Sequence, residues 1–316
     1  MEIKMAITAK MVADLRTKTG CGMMECKKAL TEANGDFDEA VKVLREKGLS
    51  VAAKKAGRIA AEGVVDIMFN DAHDTAAMIE VNAETDFVAK NETFKEFVRG
   101  ILKVILDKKP ATNEELLALP YDANFATVEA KLKDMVFTIG ENMNIRRFVI
   151  VEGVLASYVH GGGTTGVLVK FDADDAAKNN AGFAEFGKNI AMQIAAGNPP
   201  EYVARENVPA SAVEEEKEVI FNTLKNDEKN ANKPDAIIEK MVTGKLGKFY
   251  ERVCLLEQEY VKAENHEKVG QYVDATAKAF GGKIAVECFV LYERGEGLEK
   301  REDNFAEEIA QMVKGN

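Results

Sequence analysis

Four cysteines are scattered along this chain, and no two of them form a Cys-x-x-Cys pair. Cys21, Cys26, Cys254 and Cys288 therefore read as free thiols of a reducing compartment rather than as a disulfide framework or a zinc site. Histidine is scarcer still: His73, His160 and His266 lie far apart, with no metal-ligand spacing. No apolar run approaches the ~18 residues that a membrane helix needs. Met1–Ala6 lacks the apolar core of a secretion signal. These absences point to a cytoplasmic protein with no membrane span. No Gly-x-Ser-x-Gly nucleophile elbow and no phosphate-cradling Walker loop occurs either, which removes two large classes of enzyme. Gly161-Gly162-Gly163-Thr164-Thr165-Gly166 spells the dinucleotide fingerprint, but that fingerprint works only between a strand and a helix. Here strand-like residues flank it on both sides, so it reads as a hairpin turn. His160 ahead of three glycines imitates an oxyanion loop with no nucleophile to serve. It reads as a turn or surface residue, within reach of a partner.

Basic residues are also in deficit. The 316 residues carry 42 Lys and Arg against 53 Asp and Glu, a net charge of −11. Nucleic-acid binding runs on phosphate neutralisation, so a globally acidic chain is a poor general binder of it. The deficit is uneven: residues 1–58 hold 12 basic against 8 acidic side chains, a local +4 that leaves −15 for the rest. A mildly basic head suits an acidic protein surface, and it equally suits a solvated helical face.

What is present is a long, well-patterned α+β chain. Residues 8–50 read as three short helices. The third opens with Asp36 and Glu39 at capping-box spacing, sets Phe37, Ala40, Val41 and Leu44 on one face, and is expected to stop at Lys47-Gly48. Ala52–Arg58 then reads as a linker. Strands are expected at Val64–Phe69 and Met78–Val81, and a helix carries Phe94, Phe97, Val98, Ile101 and Ile105. Another helix carries Val128, Leu132, Met135, Val136 and Ile139. Further strands lie at Arg147–Val151, Val154–Val159 and Gly166–Phe171. Ser211 and Glu214 again have capping-box spacing, and residues 211–264 read as a polar antiparallel helical arm inserted before a helix at Val269–Phe280. A strand at Ile284–Tyr292 follows, then a closing helix through Phe305, Ile309 and Met312.

Two stretches about ninety residues apart repeat one plan. Thr75–Val81 leads through a turn to Phe94 and Phe97, and Thr165–Phe171 leads through a turn to Phe183 and Phe186. The second turn, Asp172–Asp175, is ordinary and solvated. The first ends in Thr85-Asp86-Phe87-Val88. Asp86 suits a turn; Phe87 does not. The fold of the sister copy needs no aromatic there, so the ring is either tucked under its loop or aimed at a partner.

Leu15–Leu30, with Arg16, Met23, Met24 and Lys27, closely resembles the N-terminal signature of the bacterial translation elongation factor Ts family. Glu80–Lys90 resembles its second signature. Ile139–Arg147 and Gly295–Lys300 resemble further family stretches. The resemblance implies a guanine-nucleotide exchange factor for elongation factor Tu, acting by binding and without covalent chemistry, cofactor or metal of its own. It implies an N-terminal ubiquitin-associated-like three-helix docking module with its linker (1–58), a core of two related halves (59–143, then 144–200 and 266–293), an antiparallel coiled-coil arm (201–265) and a C-terminal helix module (294–316). Thr85, Asp86, Phe87 and Val88 would dislodge the partner's magnesium, Phe87 as a wedge in the GTPase domain and Asp86 against the magnesium waters. Arg16, Met23, Met24 and Lys27 would dock that domain, although one methionine could instead be core. His160 would touch the partner from the second half, with Val242 and Met312 as lesser contacts. A homodimer or a 2:2 complex stays open. Without the resemblance, a structural adaptor with a docking head and an oligomerising arm fits the residues as well.

Overall fold

The computed structural model of the chain describes residues 7–230 and 233–299. The fold is α+β, built on two three-stranded antiparallel sheets, each with its second strand in the middle.

The head contains α1 (Ala9–Thr19), α2 (Met23–Glu32) and α3 (Phe37–Lys55). Thr8 caps α1, and Gly20 ends it in the left-handed conformation. The Asp36 carboxylate accepts from the Glu39 amide and caps α3, but Glu39 turns to Lys42 at 2.9 Å rather than closing a capping box. Val12, Leu15, Cys26, Ala29, Leu30, Ala40 and Leu44 form a small core of their own.

One expected boundary is overturned here. α3 does not stop at Gly48; it runs on to Lys55. A Cβ at Gly48 would lie 3.4 Å from the Phe137 side chain, so the glycine admits a neighbouring helix instead of ending its own. Ala52–Lys55 is helix rather than linker, and Ala52 joins the core of the first half.

The first half contains β1 (Glu62–Phe69), β2 (Thr75–Ala83), α4 (Asp86–Ala89), α5 (Glu92–Lys108), α6 (Asn113–Ala118), α7 (Val128–Ile139) and β3 (Met143–Glu152). β3 pairs with β2 along its whole length. The expected division at 143/144 therefore fails: β3 completes the first sheet, and Gly153 marks the crossing to the second. The next elements are β4 (Val154–His160), β5 (Thr165–Ala173), α8 (Asp175–Lys178), α9 (Phe183–Ala195), α10 (Ala210–Asn226), α11 (Asp235–Val253), α12 (Val269–Phe280) and β6 (Ile284–Glu293). β4 and β5 form the expected hairpin across Gly161–Thr164.

Side-chain alternation along each strand sorts the apolar residues into three layers. Val64, Ala77, Ile79 and Val81 face α5 and α7, packing on Phe94, Phe97, Ile101 and Val136. Val167, Val169 and Phe171 face α9 and α12, packing on Phe183, Phe186, Ile190 and Val273. Between the sheets lie Val65, Ala76, Met78 and Leu168, flanked by Ile67, Val149, Leu155, Val290 and Tyr292. The order is helix, sheet, sheet, helix, with β2 and β5 buried at its centre. The sheets approach so closely that a Cβ at Gly166 would strike Val65 and Met78.

α10 and α11 form the antiparallel arm, but it is shorter than expected. Tyr202 bridges to Cys254, and Leu255 N–H donates to the Tyr202 carbonyl at 2.8 Å, which closes the arm at its base. Leu255 and Tyr260 are buried in the second half's core. α10 begins at Ala210 behind Pro209, so Ser211 is inside the helix and caps nothing. No helix among the described residues is long and apolar enough to cross a membrane.

Candidate partner interface

The tip after β2 is a single helical turn with two faces. Val88 and Ala89 point inward and are buried; the Phe87 ring points outward and is 79% exposed. That settles the choice left open by the sequence: the ring is not under its loop. Asp86 is partly exposed and pairs with Lys90 one turn on at 2.6 Å. The hydrogen bond from that ammonium holds the carboxyl below its ordinary range, so Asp86 is an anion at neutral pH.

The turn is anchored from beneath. Thr85 donates both its N–H and its O–H to the Glu141 carboxylate, at 3.0 and 2.8 Å. Asn142 N–H donates to Glu84 at 2.6 Å in return. Five residues before Thr85, Glu80 is fully buried. It accepts from the Gly295 amide at 2.7 Å, Asn82 at 3.1 Å, Arg146 at 3.0 Å and Arg147 at 2.7 Å. Burial alone would raise its pKa, but those donors outweigh it and leave the carboxyl below its usual range. Removing Glu80 would take the acceptor from the buried Gly295 amide, and an unsatisfied buried donor typically costs about 1–3 kcal/mol, while Arg147 keeps Glu296 at 2.9 Å. Glu80 thus draws together three distant stretches, 80–90, 139–147 and 295–296. Sequence reasoning quoted all three and gave Glu80, Glu84 and Glu141 no role. The available signal was an acidic residue inside an apolar strand, Met78-Ile79-Glu80-Val81.

His160 ends β4 on an exposed hairpin, its ring 3.0 Å from the Tyr158 hydroxyl. That hairpin and the tip share one end of the first sheet. The Gly163 carbonyl accepts from Val65 N–H at 2.8 Å. Glu62, three residues earlier on β1, lies opposite Ala83, where β2 ends. Arg294 closes the gap: its N–H donates to the Thr164 carbonyl at 2.9 Å, and its guanidinium pairs with Glu62 at 2.7 Å.

In the head, Met23 and Met24 open α2 with exposures of 56% and 63%. Neither is core. Arg16 and Lys27 are exposed too. Met23 and Met24 thus open as exposed, unbranched apolar side chains a helix that also carries the cation Lys27. The head is tied to the first half by Arg45, which donates to the Asn124 carbonyl at 3.0 Å, and by Lys55, which donates to the Gly140 carbonyl.

Val242 does not fit the expected contact set. It is 6% exposed, sealed in the arm's own seam with Leu224 and Ile238, where the two arm helices bury apolar faces against each other. Met312 and the closing helix lie outside the described residues. Residues 294–296, assigned to that module, instead bind the two sheets together.

The family model "Elongation factor TS" matches residues 84–296. Among curated proteins, an elongation factor Ts of Syntrophotalea carbinolica is 46% identical over 313 residues, covering 98% of this chain and 100% of its own length. Elongation factor Ts proteins from two strains of Clostridium botulinum are 45% and 44% identical, each covering 97% of this chain and 99% and 98% of their own lengths.

Proposed function

The chain belongs to the elongation factor Ts family and is a translation elongation factor; from that premise we propose that it is the guanine-nucleotide exchange factor of elongation factor Tu. It binds the GDP-bound partner and speeds GDP release. Nucleotide exchange makes and breaks no covalent bond, so neither a nucleophile nor a base is required. The factor stabilises a distorted partner in which nucleotide is held weakly, and by linkage nucleotide weakens the factor's own hold to the same degree.

Each residue follows from that task. Phe87 enters the GTPase domain as an apolar wedge, and burying a phenylalanine contributes roughly 1.5–3 kcal/mol. Asp86 disturbs the waters around magnesium, and loss of that ion removes the largest positive charge on the phosphates. Thr85 and Val88 set the turn that carries both. Arg16, Met23, Met24 and Lys27 dock the head module, and His160 adds a contact from the second half. Residues 1–58 act as docking module and the arm as a separable appendage.

The observation that carries the reading is the exposed Phe87 ring, held on an anchored turn at the only large apolar position of that tip facing solvent. The test is to mix the chain with elongation factor Tu loaded with labelled GDP and excess unlabelled nucleotide. Label loss accelerated by substoichiometric chain is expected. Stable binding with no acceleration would make the protein an adaptor instead.

A further inference from the structure

The two halves hold their one-turn helices by different means. In the second half α8 caps itself, the Asp174 carboxylate accepting from the Ala177 amide at 3.0 Å. Thr85 occupies the corresponding place on α4 and makes no cap bond. Its two donors go instead to Glu141, 56 residues along the chain in the turn between α7 and β3. A four-residue helix draws little from its own backbone bonds. The direction in which α4 aims its outer face therefore depends on whatever grips its first residue. The same 140–142 turn also grips the head: the Gly140 carbonyl accepts from Lys55, and the Asn142 amide group donates to the Arg58 carbonyl at 2.7 Å. Head and tip meet at one short segment.

We infer that Glu141 is a positioning residue for nucleotide exchange: its carboxylate holds Thr85 so that α4 presents Phe87 at a fixed angle to the partner's GTPase domain. This rests on the exchange reading above. Glu141 touches neither the nucleotide nor the wedge's target; it acts through Thr85. The arrangement separates aim from stability, because Val88 and Ala89 seat the turn in the core whether or not Thr85 is gripped.

The test uses the full chain and the variants Glu141→Ala and Glu141→Gln. Labelled-GDP release from elongation factor Tu is followed against factor concentration, with melting and amide hydrogen exchange of the free protein measured alongside. For Glu141→Ala the saturating rate should fall by up to roughly a hundredfold, the scale on which a misplacement of about 1 Å acts, while the half-saturating concentration stays within about twofold, since Arg16, Met23, Met24 and Lys27 are untouched. Melting should fall by no more than about 4 °C, and the Lys90 amide, bonded to the Asp86 carbonyl in α4, should exchange faster. Glu141→Gln should keep most of the rate, because a carboxamide accepts from Thr85 N–H and donates to its hydroxyl. A wild-type saturating rate in Glu141→Ala overturns the inference. So does a loss shared equally by Glu141→Gln and tracking the melting temperature. If the wild-type chain fails to accelerate release, the exchange reading falls, and hydrogen exchange then judges the grip alone: faster exchange at Lys90 in Glu141→Ala sustains it, and unchanged exchange refutes it.

Discussion

α4 and α8 follow equivalent central strands, and both strands shift register at the sixth residue, after Glu80 and after Lys170. Each one-turn helix then turns its inner face to the core, Val88 and Ala89 in the first and Ala177 in the second. Each is followed by a long helix that opens its core face with phenylalanine, Phe94 and Phe97 against Phe183 and Phe186. The outer position differs: Phe87 in the first half, exposed Ala176 in the second. What both halves keep is what the fold requires. An exposed apolar ring that one half alone carries has no counterpart that the shared fold needs.

The largest effects should fall on the shared positions. Phe94→Ala and Phe183→Ala should each cost ~3–5 kcal/mol, as truncation of a buried phenylalanine does, a large part of the ~5–15 kcal/mol of a typical domain. Denaturant melts of the two variants should shift together. A shift in only one would break the correspondence between the halves.

Next come the two bulge residues. Glu80→Ala should cost about 1–3 kcal/mol because it leaves the buried Gly295 N–H without its acceptor. Lys170 faces Glu287 at 2.8 Å in a single partly exposed pair, and such surface pairs contribute little, so Lys170→Ala should be nearly silent by the same melt. Equal losses would mean that the cage around Glu80 contributes nothing beyond an ordinary surface pair.

An acid-pH effect should come from the second half as well. At the base of the arm, Glu257 is held down to about 2 by the hydrogen bond from Arg205, with Lys268 on its other side. A depressed carboxyl stabilises the fold above its unfolded value and loses that contribution as pH falls. The window here runs from about 4.5 down to about 2. Glu257→Gln should flatten acid unfolding in that range and leave neutral stability lower. An unchanged acid profile would show that the pair is too solvated to matter.

The smallest effect is expected from the transplant. Ala176→Phe places an aromatic on the sister turn and should alter neither melting nor nucleotide release, since that turn lacks the Thr85–Glu141 grip. A gain in exchange would show that any exposed ring suffices.

Local chemistry made much of this readable. The 3.6-residue period of Phe94, Phe97, Ile101 and Ile105 specified α5, and strand-like residues on both sides of Gly161–Thr164 specified a hairpin. The repeat itself, seen in spelling, proved to be a repeat of strand, bulge, turn and helix. Apart from Ser211, the failures share one cause. Ser211 satisfies a local start rule that Pro209, two residues ahead, pre-empts; Gly48 satisfies a local stop rule that does not see the partner that decides. For Gly48 that partner is Phe137, 89 positions away. β3 was assigned to the wrong half because pairing with β2 is settled by a register between distant strands. Glu141 is invisible locally for the same reason, since its donor Thr85 lies 56 residues off, and Glu80 shows locally only as an acid in an apolar strand while its arginines lie 66 and 67 residues off. Exposure of Phe87 was inferable only because the chain carries a second copy for comparison.

The most direct measurement sets Phe87→Ala against wild type in labelled-GDP release from elongation factor Tu, with melting of the same preparations. Removing an exposed wedge should leave the melting temperature unchanged and slow saturated release by roughly thirtyfold, the ~2 kcal/mol of an interface hot spot. A Phe87→Ala variant that melts as early as Phe183→Ala, or that releases nucleotide at the wild-type rate, would contradict the account.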